Sequence, residues 1–486
     1  MSTNPLANDP MFPSNTVPDL SSPAPAISRL AGASPALVRP LCLLAGLAAL
    51  LAPALWNGFA VIFYDTGGYV QAALEMRLIP GRSLVYGLFL QAASLNWWSL
   101  WGPVLAQALA TLWLVYLLLR CHGLPAGPPA LALWAIGLAG LTGISWYSAQ
   151  LMPDILVPLV VLTLWLLALH WPRLRRPEQA GLIGLALLGL LSHMSCLALA
   201  LGLLAVILVA RVATRRWPIT IAVVPPVAVV LAALLLMPLA HLTLTGTAGY
   251  TPGGPVFLFG RLVQDGIVQR WLAEHCPVPG IQLCDLQHRL PATADEFLWT
   301  GQSPFQDLGG WQGGAEPELK RLTVAAVTAY PGMTLWTTGR STAQQLVKVA
   351  TGDALDEGHF DSRGYLLAHL PHLAPSFMAA RQQQEAVSRD LFATLNLVHV
   401  PVALASVAGL LPLTLWFLRH RRHDLAALAV FVFLALAGNA FICGALSNPH
   451  DRYQSRLVWL APLVVGMTMA AWRQHRPGSR LPATAA

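Results

Sequence analysis

Stretches of about twenty apolar residues, the length a helix needs to cross a bilayer, recur along this chain. They lie at 41–63, 98–119, 128–146, 151–170, 218–240, 396–418, 424–446 and 456–472. A longer run, 179–210, has arginines at both ends: Arg173, Arg175 and Arg176 before it, and Arg211, Arg215 and Arg216 after it. Arginine clusters beside membrane helices favour the cytoplasm. One straight helix would put these two clusters on opposite sides, so the run is expected to form two short helices that turn near Leu191–His193. The expected fold is an all-α polytopic membrane protein of about ten transmembrane helices, with both termini cytoplasmic and a mixed extracytoplasmic region.

Charged residues make up only 10% of the 486, against roughly 25% in soluble domains. That is too few to clothe a soluble surface, which excludes a soluble globular enzyme and a disordered protein. The net charge of +7 comes from 27 Arg and 2 Lys set against 22 acids. The arginines lie in short clusters between apolar runs, a topology pattern and not a nucleic-acid-binding face. The inner ends would hold Arg120, the two clusters above, Arg419, Arg421, Arg422, Arg473, Arg476 and Arg480; the short outer loops hold Arg77, Arg82, Arg452 and Arg456.

Residues 1–40, with eight Pro and no apolar period, read as a disordered cytoplasmic tail. An N-terminal membrane domain spans 41–240 and begins with a permanent signal-anchor helix. A large extracytoplasmic region covers 241–394, C-terminal membrane helices 395–472, and a second cytoplasmic tail 473–486. The outer region holds 14 of the 22 acids and both Lys, and it is long enough to bury a core of its own. Its stretches 317–350 and 376–394 are expected to be helical. Cys276 and Cys284 both fall there; a disulfide and two free thiols remain open readings.

Outside the tail and the outer region only six acids remain: Asp65, Glu75, Asp154, Glu178, Asp424 and Asp451. Glu178 and Asp424 sit beside cytoplasmic arginines, where charge balance explains them. The other four fall at the outer face with His193, Arg82, Arg452 and Arg456, and ionisable groups at a membrane are costly and often functional. Asp65 follows the first span in Phe63-Tyr-Asp-Thr-Gly-Gly-Tyr69. Gly67 and Gly68 would let the backbone turn sharply and place the carboxylate beside Tyr64 and Tyr69. There it would act as a general base or bond its own backbone as a turn residue.

Arg82 precedes a stretch with an apolar side (Leu84, Val85, Leu88, Phe89) and a polar stripe (Ser83, Gly87, Gln91, Ser94). This fits an in-plane interfacial helix, with Arg82 on a lipid phosphate or snorkelling among head groups. Asp154, beside Pro153, opens a membrane helix as a cap or as a second functional acid. His193 is a packing residue or a site residue. His450, Asp451, Arg452, Tyr453 and Arg456 precede the last span. Arg452 and Arg456 share a helix face and suit a phosphate; the competing reading pairs them with Asp451. The chain has no Gly-Lys-Ser/Thr phosphate loop, no Cys-x-x-Cys and no His-Glu-x-x-His.

This order of residues resembles the GT-C superfamily of integral-membrane glycosyltransferases, which includes protein mannosyltransferases and bacterial aminoarabinose transferases of lipid A. Asp65 matches the family's first-loop catalytic acid, and Asp154 a second-loop acid. The Arg82–Tyr86 segment resembles an Arg-x-Pro-x-Tyr stretch, without its proline. The Arg452-Tyr-Gln-Ser-Arg456 loop is similar to late basic loops of bacterial members. The likeness covers about 41–240 well and 396–472 loosely.

The resemblance implies an enzyme of the bacterial inner membrane whose active site faces outward. Its donor would be a polyprenyl-phosphate-linked sugar, and its acceptor a lipid, glycan or protein. Asp65 and Asp154 would be catalytic, with Asp65 deprotonating the acceptor. Arg82, Arg452 and Arg456 would hold the donor phosphate, and Tyr64, Tyr69, Tyr86, His193 and Tyr453 would contact substrate. No cofactor is required by it, although a divalent metal serves some members. An O-antigen ligase or polymerase would lean instead on Arg261, Arg270 and His275. A transporter would show broken helices at mid-membrane and inverted repeats.

Overall fold

The computed structural model describes residues 35–213, 220–250, 253–312 and 314–474. The expected tails fall almost wholly outside these residues, as do Arg215 and Arg216. The described chain is helical and contains no strand. Among the described residues, six helices are long and apolar enough to cross a membrane: Trp101–Cys121, Met194–Ala213, Val224–Thr245, Arg389–Arg419, His423–Ala445 and Asp451–Gln474. The protein is an integral membrane protein.

The other expected spans are shorter or broken, for local reasons. The first run is a helix only to Leu50; Pro53 opens a new short helix, Ala52–Asn57, which Gly58 closes with φ +81°. Residues 59–63 then run extended and buried, and Val61 pairs with the second outer loop. Val61 N donates to the Ala149 carbonyl at 3.0 Å, and Leu151 N to the Val61 carbonyl at 2.9 Å. The single helix expected over 41–63 is therefore two helices and a strap. The 128–146 run likewise divides at Thr142–Gly143, between Pro128–Leu141 and Ile144–Ala149.

The long 179–210 run breaks where its flanking charges require. Arg176–Ser192 and Met194–Ala213 meet at His193, which is extended (φ −144°, ψ 124°). Two charged ends result. At one, Glu178 accepts two 2.6 Å bonds from Arg120, Arg173 donates to the Cys121 carbonyl, and Arg422 donates to the His122 carbonyl and pairs with Asp424. At the other, Asp65, Asp154, Arg82, Arg452 and Arg456 gather. The Leu156–Leu169 helix, about 21 Å long at 1.5 Å per residue, starts at the second group and ends beside the first.

The outer region is helical where a mixed structure was expected. Within it the Thr293–Glu296 capping box starts the short helix Ala294–Trp299, and at its end Ser388 caps the long membrane helix Arg389–Arg419. Phe259, Phe297, Phe305 and Leu319 centre a separate core, whereas Leu366, Phe377 and Phe392 join the main one. Glu316–Ala329 and Pro331–Val347 fill the expected 317–350 helix. Only short turns precede Arg389 in the 376–394 stretch. Cys276 and Cys284 are joined in a disulfide.

Candidate active site

Asp65 occupies the N-cap of the Thr66–Glu75 helix, where an Asp ordinarily accepts from the helix's first N–H groups. It makes no such bond. Its Oδ1 accepts instead from Arg82, and Arg452 Nη1 lies 3.7 Å from Oδ2. All three side chains keep 16–18% of their surface open, so the cluster is reachable. Thr66 holds the loop from behind, accepting from Phe63 N at 2.8 Å and donating to the Leu151 carbonyl at 3.2 Å.

Gly67 and Gly68 are not a sharp turn; they form the helix's first turn and admit close neighbours. A Cβ on Gly67 would lie 2.7 Å from Ser362 Cα, and one on Gly68 3.1 Å from Arg82 Cγ. Ser362 Oγ accepts from Gly67 N at 2.8 Å and donates to the Tyr64 carbonyl at 2.5 Å. The Phe360–His369 helix thereby clamps the loop that carries Asp65.

Arg82 leads into the Leu84–Ala93 helix, which Ser83 caps by accepting from Val85 N and Tyr86 N. Of the expected polar stripe, Ser83, Gly87 and Ser94 are buried against the protein and Gln91 is part-exposed. Gly87 is pressed against the Tyr69 carbonyl, and Tyr86 is fully buried, donating to Gln107 Oε1 at 2.8 Å.

Arg452 stands 4.3 Å from the Phe63 ring and 5.0 Å from that of Tyr453. Its backbone is held by Asp353, which accepts from its N–H at 3.0 Å, and by the Tyr147 hydroxyl, which donates to its carbonyl. Arg456, one turn deeper, has no exposed surface. It meets Asp154 Oδ1 at 2.8 Å, His193 Nε2 at 3.0 Å and Ser195 Oγ at 3.0 Å. The shared face expected for Arg452 and Arg456 points between helices, so one arginine reaches the part-exposed Asp65 and the other neutralises a buried carboxylate. Arg456, expected on a donor phosphate, presents no open surface in this arrangement. Neither pairs with Asp451, which accepts from Ala350 N and faces Lys348 at 3.7 Å.

A cleft of about 340 Å³ is lined by Tyr64, Gly68, Gln71, Arg82, Trp299 and Trp311 among others; Asp65 reaches it through Arg82. Of the tyrosines expected to meet substrate, Tyr64 lines it, Tyr453 lies under the two arginines, and Tyr69 and Tyr86 are enclosed. Burial first, and the Asp65 carboxylate second, raise the Tyr69 phenol far above its ordinary range, so it stays neutral. His359 packs on Tyr64 (4.6 Å) and Phe63 (5.5 Å), and neither ring nitrogen finds a partner among the described residues. Burial lowers its pKa to about 4, keeping it uncharged at neutral pH.

Arg261, Arg270 and His275 are engaged within the outer region. Arg261 is buried against Asp265 and Ser341, Arg270 pairs with Glu274 at 2.9 Å, and His275 stacks on Trp271. No grouping of three or more metal-binding side chains exists among the described residues. Asp65 and Asp154 are each tied to arginine, a poor donor set for a hard cation that wants six oxygens; the residues present do not fit a divalent metal.

Trp299, Trp311 and Ser362 were not anticipated from the sequence. The one signal was Trp311 set among glycines, in Gly309-Gly-Trp-Gln-Gly-Gly314. No family model, curated protein or solved structure matches the chain.

Proposed function

We propose that this protein is a GT-C-type glycosyltransferase of a bacterial inner membrane. It would move a sugar from a polyprenyl-phosphate-linked donor to a lipid, glycan or protein acceptor on the extracytoplasmic side. The observation that carries this reading is Asp65: an N-cap acid without its capping bond, held between Arg452 and Arg82, the second of which lines a cleft. A disulfide in the outer region suits an oxidising compartment. Arginines at the opposite end suit the cytoplasm. The shorter helices complete a bundle of about ten spans.

A donor phosphate entering between Arg82 and Arg452 competes with Asp65 for their N–H groups. The freed carboxylate accepts the proton of the acceptor hydroxyl. The acceptor oxygen bonds to the anomeric carbon as the bond from that carbon to the phosphate oxygen breaks. The polyprenyl phosphate leaves with the electron pair, and the two guanidinium groups meet its added charge. Asp154 does not touch substrate in this scheme; it anchors Arg456 and so the helix that presents Arg452.

Asp65→Asn tests the scheme, because an amide of the same shape cannot take the proton. Sugar transfer in membranes should fall by roughly 10²–10⁴-fold while folding is retained. Asn is also a good turn residue, so near-normal transfer by this variant would defeat the catalytic assignment.

A further inference from the structure

The cleft has one wall that the scheme above does not use. Trp299 closes the Ala294–Trp299 helix and Trp311 follows in the glycine-rich turn; their rings stack with centroids 5.1 Å apart. Phe257 backs both, at 6.1 and 5.4 Å, and packs against Gly81 of the first loop. Trp299 is 48% exposed, although the buried core of the outer region lies immediately behind it. The Arg82 guanidinium sits 5.5 Å from its ring.

A large indole left half bare inside a cleft, with a cation over its ring, suits a ligand that has an apolar face next to an anion. A pyranose 1-phosphate is such a ligand. The C–H groups on one ring face are weakly positive and pack on the negative face of an indole. The hydroxyls are left for polar groups of the cleft, which Gln71 and Asp361 also line. The phosphate is then directed to Arg82. The cleft volume falls within the usual range of small-molecule sites.

We propose that Trp299 and Trp311 form the wall that receives the hexosyl group of the donor, so that the outer region selects the sugar. This rests on the glycosyltransferase reading for its donor, but its test reads binding and not transfer. The helix carrying the wall is also tied to the last outer loop. Asp295 accepts from Asn448 at 2.8 Å and lies 3.3 Å from His450, two residues before Arg452. Wall and phosphate-binding arginines are thereby held in one frame.

The test uses the full chain in detergent. Binding of glucose, mannose, galactose and N-acetylglucosamine 1-phosphates is measured by calorimetry, with inorganic phosphate and the matching methyl hexosides as references. At least one sugar phosphate should bind ten or more times tighter than phosphate. Trp299→Ala should remove most of that advantage, and Trp299→Phe should restore part of it. Trp299 lies outside the buried core, so these variants keep the fold. Equal affinity for phosphate and sugar phosphate, or an advantage that survives Trp299→Ala, would overturn the wall and leave Arg82 as a phosphate contact. A methyl hexoside that binds as well as its 1-phosphate would assign the wall to the acceptor and overturn the proposal. Binding of none of the probes would overturn both the wall and the phosphate role of Arg82. Each of these outcomes is independent of the result with Asp65→Asn.

Discussion

Arg452 and Arg456 are four residues apart on one helix, yet the structure gives them different work. Arg452 is part-exposed beside Asp65, whereas Arg456 is enclosed with Asp154, itself 1% exposed. Removing one member of a buried pair strands the other charge, at about 3–5 kcal/mol, while replacing both with apolar groups is often neutral. Arg456→Met should therefore lower the thermal midpoint markedly, and Asp154→Leu combined with Arg456→Met should recover most of it. Arg452→Ala should leave the midpoint nearly unchanged and weaken donor binding. Thermal unfolding in detergent separates these outcomes. An Arg456→Met protein as stable as wild type would show that the pair is not the anchor drawn here. The residue types at this site were legible in the sequence as costly charges near a membrane. Their division between a part-exposed pair and a buried one was not, because it depends on which helix lies opposite, and i,i+4 spacing carries no such information.

At the scale of elements, apolar length predicted where helices would run and missed where they would stop. Pro53, Gly58 and Thr142–Gly143 divide runs that hydropathy alone joins, since hydropathy does not register a missing N–H or a left-handed residue. The turn at His193 was legible because two arginine clusters had to lie on one side. Gly67 and Gly68 teach a related point: the sequence suggested backbone freedom, and the structure shows that what matters is the space beside them. Their alanine variants should differ accordingly. In Gly67→Ala the new methyl meets Ser362 Cα, a backbone position that cannot swing away, so the Phe360–His369 helix must shift; the cost is about 1–3 kcal/mol, with transfer falling as the clamp loosens. In Gly68→Ala the methyl meets Arg82 Cγ at 3.1 Å, and a flexible side chain yields. That variant should keep its thermal midpoint and lose mainly donor affinity. Equal midpoints for the two variants would mean that the helix does not clamp the loop.

For the whole molecule, the question is which charged end faces which compartment. The two ends differ in kind. One is a set of salt bridges and helix-end bonds among Arg120, Glu178, Arg173, Arg422 and Asp424; the other opens into the cleft and the disulfide-bearing outer region. A bilayer with Arg120 and Arg173 inside obeys the cationic bias of cytoplasmic loops and puts Cys276–Cys284 where disulfides persist. The inverse orientation violates both. The bias was visible in the sequence because it is a matter of counting. The cleft was not, since its wall comes from the Ala294–Trp299 helix and the turn around Trp311, too short to carry a period, brought to Arg82 by a core of their own. Orientation can be tested without knowing the substrate. Cys121, Cys196 and Cys443 are buried, and Cys276 and Cys284 are oxidised, so replacing Cys42 leaves a quiet background. On it, Lys320→Cys, at an exposed site in the outer region, should react with a membrane-impermeant maleimide in intact cells. Arg175→Cys, exposed in the loop before the Arg176–Ser192 helix, should react only after the membrane is opened. The reverse pattern would place Asp65 in the cytoplasm, away from any lipid-linked sugar presented outside, and the proposed reaction would fall with it.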